Sequence, residues 1–129
     1  MKKYSVPLCL LLVGLLIVLS GWGSYALLER DSKKLLAPVK TIVQAVEADD
    51  WTGVATKMDQ VNQTWNKLNL YWPMLVHHAE MGQIDVSINK LKSYLKYQDE
   101  KLSLAELYNL IYLIEHIPQK EAFTLQNVF

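Results

Sequence analysis

Hydrophobic residues along this chain follow two patterns, first one continuous run and then a series of helical stripes. From Tyr4 to Leu28 no side chain is charged, and this stretch of 25 residues is strongly apolar. A helix needs about 20 such residues to cross the roughly 30 Å hydrocarbon layer of a membrane. The run therefore predicts a transmembrane helix, with the amphipathic rings of Trp22 and Tyr25 near its far end.

A cleavable signal peptide is the alternative for this segment. Its apolar core would run from Val6 to Leu19, and Ser24-Tyr25-Ala26 provides a small-x-small cleavage site. The apolar run continues past that site, which favours an uncleaved anchor in the cell membrane. A very short basic tail directly before an apolar run usually stays in the cytosol. We therefore expect residues 1–28 to be the anchor, with a cytoplasmic N-terminus, and residues 29–129 to form a domain outside the cytoplasm.

Beyond the anchor, the apolar residues recur at helical spacing. The clearest stripe alternates steps of three and four over seven positions, which are Trp51, Val54, Met58, Val61, Trp65, Leu68 and Trp72. Such spacing is typical of an α-helix with one buried face, and Asp49 or Asp50 would cap its start. Glycine, proline and runs of β-branched residues are scarce in this part of the chain, which also favours helices.

Three further stripes lead to an all-α prediction. One lies in residues 32–48 and a second in residues 83–98. The third follows Ser103, which forms a capping-box pattern with Glu106, and Pro118 would end that helix. Four amphipathic helices with short connections imply an antiparallel bundle. The predicted fold is thus a transmembrane helix followed by a small antiparallel bundle of about four helices.

The stretch HHAEMGQID, residues 77–85, gathers two histidines and two acids. One helical stripe continues to Ala79 and the next begins at Ile84, a step of five that interrupts the helical rhythm. We therefore expect a helix break at Gly82, since glycine adopts the backbone angles of a helix end. In this interpretation the acids, including Asp85, cap a helix start, and His78 bonds a helix end.

A metal or acid–base site is the alternative interpretation of this stretch. Zinc takes three or four ligands of the His, Cys or carboxylate type, and the candidate set is His78, Glu80 and His116. A di-iron site in a bundle would need Glu-x-x-His on two helices, and the chain has no such motif. Nucleophile motifs and phosphate loops are also missing, and Cys9 lies inside the apolar run. We therefore expect no cofactor and no catalytic residue.

Charge and aromatic residues indicate which partners to expect. The formal net charge is zero, and no block of like charge favours binding to nucleic acid. Trp65 and Trp72 fall on a buried stripe, where each ring would bury on the order of 200 Å². Together with His78, Asp85 and the C-terminal Phe129, they are our candidates for interaction with a partner. The apolar tail that ends in Phe129 would either fold back onto the bundle, which we favour, or dock into that partner.

In the order of its features the chain resembles an uncharacterised family of short bacterial proteins, a domain of unknown function with one N-terminal membrane segment before a helical domain. The residues that carry the resemblance are Trp65 with Trp72, the His78-x-Glu80…Ile84-Asp85 junction, the Leu91 region, Glu115-His116-Ile117 and Leu125-x-Asn127-Val128-Phe129. Met81-Gly82 departs from the more acidic or apolar junction expected there. The resemblance implies an accessory role beside a multi-pass membrane protein, and it supplies no activity.

These features predict a non-enzymatic, single-pass protein that contacts the bilayer through residues 4–28. Its extracytoplasmic bundle would bind another membrane or envelope protein. One alternative is a metal-binding enzyme or sensor that uses His78, Glu80 and His116. A second alternative is a ligand-binding sensor built on the tryptophan stripe.

Overall fold

One helix, α1 (Ser5–Glu47), contains both the apolar run and the first amphipathic stripe. Its 43 residues span about 65 Å at 1.5 Å per residue. Most apolar side chains from Val6 to Leu19 are exposed, whereas from Leu28 onwards α1 contributes a buried stripe to the core. Pro38 lies inside α1 and does not end it. The predicted anchor and the centre of the domain are therefore parts of one continuous helix.

The computed structural model describes residues 3–128, apart from the side chains of residues 124, 125 and 128. The remaining elements are α2 (Val54–Leu68), a short 3-10 turn (Trp72–Met74), α3 (His78–Lys96) and α4 (Glu100–Val128). The predicted all-α fold with a long apolar N-terminal helix is confirmed. The packing that we predicted for Leu125, Val128 and Phe129 lies outside the described residues.

The helices alternate in direction and surround one core. α1 packs against α2 and along α4, and α3 packs against α4. α2 and α3 contact each other little. The core contains apolar side chains from all four helices, and Leu35, Val61, Leu91 and Leu110 are each fully buried. The helices therefore pack closely where they contact α1 or α4, and α2 and α3 pack less closely against each other.

Because the helices alternate, the bundle has two distinct ends. We call the end at which the apolar run enters the near end; it contains Leu28–Ser32 of α1, the connection at residues 69–77 and Ile117–Glu121 of α4. The opposite end, the far end, contains the turns at residues 48–53 and 97–99. Contacts between Asp31 and Tyr71 and between Glu80 and Lys120 hold the near end together.

Both limits of α2 differ from the prediction, because the helix ends at Leu68 and Trp72 lies in the 3-10 turn. The helix begins at Val54, and its N-cap is Gly53, whose φ is 75°. Asp50 instead accepts a hydrogen bond from the backbone N–H of Thr52 at 3.1 Å, and Asp49 accepts one from the indole of Trp51. These two acids shape the turn after α1 and do not cap α2. Gly53 allows this geometry because glycine adopts a positive φ without steric cost.

The predicted helix break at Gly82 is wrong. α3 runs through Gly82, where an added Cβ would meet nothing within 4 Å. Ala79 is exposed, and the buried stripe of α3 begins instead at Met81. The five-residue step in the pattern therefore lies between Val76 and Met81. The actual break occupies residues 69–77, where Pro73 lies in the 3-10 turn.

Both predicted limits of α4 are also wrong. Asp99 rather than Ser103 precedes the helix, and its side chain accepts a hydrogen bond from the backbone N–H of Leu102 at 3.0 Å. Ser103 is fully buried within the helix. Pro118 lies inside α4, which continues to Val128. Its side chain is buried and lines a groove together with Glu29 and Ser32 of α1.

Candidate functional site at the near end

Asp31 is the only charged residue that is buried among those the structure describes. It is 2% exposed and lies on the same face of α1 as the fully buried Leu28 and Leu35. A carboxylate in such a position costs free energy unless hydrogen-bond donors surround it. The near end of the bundle provides these donors from a distant part of the chain.

Two side chains of the connection at residues 69–77 donate to one oxygen of Asp31. The Tyr71 hydroxyl lies 2.5 Å from Asp31 Oδ2, and the Trp72 Nε1 atom lies 3.1 Å from the same oxygen. The second oxygen, Oδ1, lies 3.7 Å from a guanidinium nitrogen of Arg30, whose side chain is largely exposed. Asp31 therefore fastens the connection between α2 and α3 to α1.

The tryptophans extend this set of contacts across the bundle. Trp72 is fully buried, and its ring meets that of Trp65 edge-to-face with centroids 5.9 Å apart. The Trp65 Nε1 atom in turn donates to Asp85 Oδ1 of α3 at 2.6 Å. The path from Asp31 through Trp72 and Trp65 to Asp85, which we call the Asp31–Asp85 chain, links α1, α2 and α3.

The structure thus brings together three of the residues that the sequence singled out. Trp65 is 3% exposed and Trp72 is 0% exposed, which confirms their place in the core. Asp85 does not cap a helix start, because it lies in the third turn of α3 and binds Trp65. Direct binding of a partner by these side chains stays a prediction, and their observed contacts are internal to the domain.

The metal-site candidates have separate environments. His78 is exposed at the first position of α3. Glu80 forms an ion pair with Lys120 of α4 at 2.8 Å, and the exposed His116 stacks on Tyr112 with ring centroids 5.7 Å apart. Within residues 3–128 no group of three His, Cys, Asp or Glu side chains is arranged to hold a metal ion. The structure therefore gives the metal alternative no support.

Sequence reasoning missed Asp31 and Tyr71. Asp31 stands among charged residues just after the apolar run, a position that suggests solvent exposure. The available signal was spacing, because Leu28, Asp31 and Leu35 follow one another at steps of three and four. That spacing places Asp31 on the buried face of α1. No comparable local signal identifies Tyr71, whose partner lies 40 residues away in the chain.

A groove of about 580 Å³ lies between α2 and α3 towards the far end. The Trp65–Asp85 hydrogen bond joins α2 and α3 closer to the near end, so the groove is confined to the half of the bundle at the far end. Apolar and charged side chains share its walls, among them Trp51, Val54, Met58, Asp59, Lys92 and Lys96. Such a mixture suits an amphipathic segment of another protein, which presents apolar and charged side chains together.

The environment of Tyr71 makes the near end sensitive to alkaline pH. Burial, with the hydrogen bond to Asp31 and its charge, raises the pKa of Tyr71 to about 12, while Arg30 acts in the opposite direction. The pKa of an unfolded tyrosine is about 10. The protonated hydroxyl therefore stabilises the fold fully below pH about 10. This contribution is lost as the pH rises from about 10 through about 12.

We expect Tyr71→Phe to lower the free energy of unfolding by about 1 kcal/mol at pH values near 8. The difference from the wild type should shrink as the pH rises through the window in which Tyr71 ionises. Urea unfolding of the full chain in detergent micelles over a pH series measures both effects. Tyr97→Phe is the matched control, because Tyr97 is 74% exposed and its hydroxyl should not contribute. A difference that stays constant at high pH would contradict the role assigned to the Tyr71 hydroxyl.

The sequence of residues 22–128 matches a family model that is described as a domain of unknown function, DUF4363. The matched range begins at Trp22 and includes the near end, the part of α1 from Trp22 onwards, and α2, α3 and α4. No curated protein and no solved structure matches the chain.

Proposed function

This chain belongs to the DUF4363 family, a domain of unknown function, and we propose that it is a non-enzymatic, single-pass membrane protein whose helical domain docks another membrane or envelope protein. One observation carries the proposal: the apolar run and the core of the domain belong to the same helix. The domain is therefore held rigidly at the point where α1 would leave the bilayer.

The exposure of the apolar run supports an anchor. α1 is the one helix within the described residues that is long and apolar enough to cross a membrane, and no part of its most apolar window is buried by the protein. The central helix of a soluble domain would be covered by its neighbours. Uncovered apolar side chains need another apolar environment, and a bilayer would supply it.

The packing around Leu28 supports retention of this segment over its removal as a signal peptide. Cleavage after Ala26 would cut α1 two residues before Leu28, which is fully buried. It would also remove Ser24 and Tyr25, which are half-buried. The short basic N-terminus supports a cytoplasmic tail, with residues 29–129 outside the cytoplasm.

Extraction of membranes with alkaline carbonate tests the anchor. We expect the full chain to stay in the membrane pellet with its complete mass. The double substitution Leu12→Arg and Leu15→Arg should release it, because charged side chains at the centre of a span are strongly unfavourable. A wild-type chain that is released by carbonate, or that lacks its first 26 residues, would contradict an uncleaved anchor.

The groove between α2 and α3 supports the choice of a protein partner. It lies at the far end of the bundle, away from the apolar run, and so remains accessible when α1 is in a bilayer. Its apolar floor and its two lysines, Lys92 and Lys96, fit an amphipathic segment that carries acidic residues. A partner in the same membrane can bring such a segment to a domain fixed at the membrane surface.

Photocrosslinking in native membranes tests the docking site. A photoreactive amino acid at Ala55, in the groove, should form an adduct with one membrane protein. The same amino acid at Ala105, on the exposed surface of α4, is the matched control and should not form this adduct. The Ala55 adduct should also disappear when Lys92 and Lys96 are both replaced by Glu. Equal adducts from both positions, or an adduct unaffected by the charge reversal, would count against the groove.

A further inference from the structure

Leu70 and Met74, in the connection between α2 and α3, are unusually exposed. Leu70 is 80% exposed and Met74 is 85% exposed. These fractions exceed those of the large apolar side chains in the apolar run of α1, where Leu10 reaches 68%. Two such side chains four positions apart in one structured connection are unfavourable in water.

The turn that carries these side chains is firmly held. Between them, Tyr71 and Trp72 donate hydrogen bonds to Asp31, and Trp72 is fully buried. The backbone N–H of Met74 also donates to the carbonyl of Tyr71 at 3.1 Å. The backbone that carries Leu70 and Met74 is therefore held in place, and the contacts that bury Trp72 leave these two side chains exposed.

The position of the turn along α1 identifies its surroundings. The hydrogen bonds to Asp31 place the turn three residues beyond Leu28, the last residue of the uncharged run. Three residues correspond to about 5 Å along a helix. The headgroup layer on each side of a bilayer is also about 5–8 Å thick. When α1 crosses a membrane with Leu28 at the edge of the hydrocarbon layer, the turn therefore lies at the depth of the lipid headgroups.

We propose that Leu70 and Met74 insert into the headgroup layer of the membrane that α1 crosses, so that the near end of the bundle rests on lipid. This contact depends on the proposed membrane anchor. Exposed cations at the same end, Arg30 and Lys67, suit the phosphate groups of that layer. The domain then has two attachments to the bilayer, and the second one fixes its tilt.

Single fluorescent labels in vesicles test this contact. Cys9 is first replaced by Ser, and a polarity-sensitive dye is attached to a cysteine at position 70, 74, 15 or 97 of the full chain. The proteins are reconstituted into phosphatidylcholine–phosphatidylglycerol vesicles with and without lipids that carry a quencher near the headgroup. Both turn positions are exposed, so these substitutions leave the packing of the core unchanged.

We expect the labels at positions 70 and 74 to shift to shorter emission wavelengths in vesicles and to lose more than half of their intensity with the quencher lipid. The label at position 97, at the far end, should do neither. The label at position 15 reports on the anchor itself. If its emission shifts to shorter wavelengths in vesicles while positions 70 and 74 behave like position 97, the lipid contact is refuted and the anchor stands. If the emission from position 15 also fails to shift, the anchor is refuted. Labels at 70 and 74 that shift without quenching would indicate a protein occupant and would also overturn the lipid contact.

Discussion

Replacing Trp72 by alanine should lower the free energy of unfolding by about 3–5 kcal/mol. Trp72 is 0% exposed, packs edge-to-face on Trp65 and donates a hydrogen bond to Asp31. Alanine would leave a large cavity and remove the hydrogen bond. The free energy of unfolding of a typical domain is only about 5–15 kcal/mol, so this one substitution removes a large part of it. Urea unfolding in detergent micelles, followed by circular dichroism, measures the loss.

Two companion variants make this prediction specific. Trp72→Phe keeps most of the volume but lacks the N–H donor, and it should cost about 1–3 kcal/mol. Trp51→Ala is the matched control, because Trp51 is half-buried at the rim of the groove and its indole N–H donates to the exposed Asp49. If Trp51→Ala costs as much as Trp72→Ala, the near end does not have the central role in stability that its packing indicates.

Asp31→Ala is expected to have the second-largest effect, a loss of about 3 kcal/mol. The substitution leaves two donors, the Tyr71 hydroxyl and the Trp72 indole, without their acceptor in a buried position. Asp31→Asn keeps one acceptor oxygen and should lose less. Asp59→Ala is the control, since Asp59 is an exposed acid on α2. Unfolding of the full chains in the same detergent gives the ranking.

A double-mutant cycle separates the two hydrogen bonds of Asp31. Asp31→Ala combined with Tyr71→Phe should be less destabilising than the sum of the two single losses, with a coupling of about 1 kcal/mol. Additive losses would show that the hydrogen bond between the Tyr71 hydroxyl and the Asp31 carboxylate does not stabilise the fold. The same outcome would remove the reason for the expected pH dependence of Tyr71.

The faces of the helices could be predicted from the sequence because they depend on a fixed period. Val61, Trp65 and Leu68 fall at helical spacing on α2, and all three are buried as expected. Helix limits were less predictable. Asp49, Asp50 and Gly53 are all good residues for a helix start, and packing at the turn decides among them. The misplaced break has a similar cause, since Ala79 is compatible with either a buried or an exposed position.

The centre of the candidate site could not be predicted because its contacts are long-range. Asp31 lies 40 and 41 residues from its two hydrogen-bond donors, Tyr71 and Trp72. A local pattern carries no information about contacts at that separation. The sequence could identify the face on which Asp31 lies, but only the folded chain shows which groups meet it. The same holds for Asp85, whose partner Trp65 is 20 residues away.

The packing of α1 along α4 also determines when the domain can be completed during synthesis. Lys40 of α1 and Glu115 of α4 lie 3.7 Å apart in the folded protein, yet 75 positions separate them in the sequence. α1 is made first and α4 last. The apolar stripe of α1 therefore stays exposed until α2, α3 and α4 have been translated. Such long-range packing slows folding and prolongs the exposure of apolar surface. A nascent chain that stalls before α4 would therefore expose the apolar stripe of α1 to neighbouring proteins.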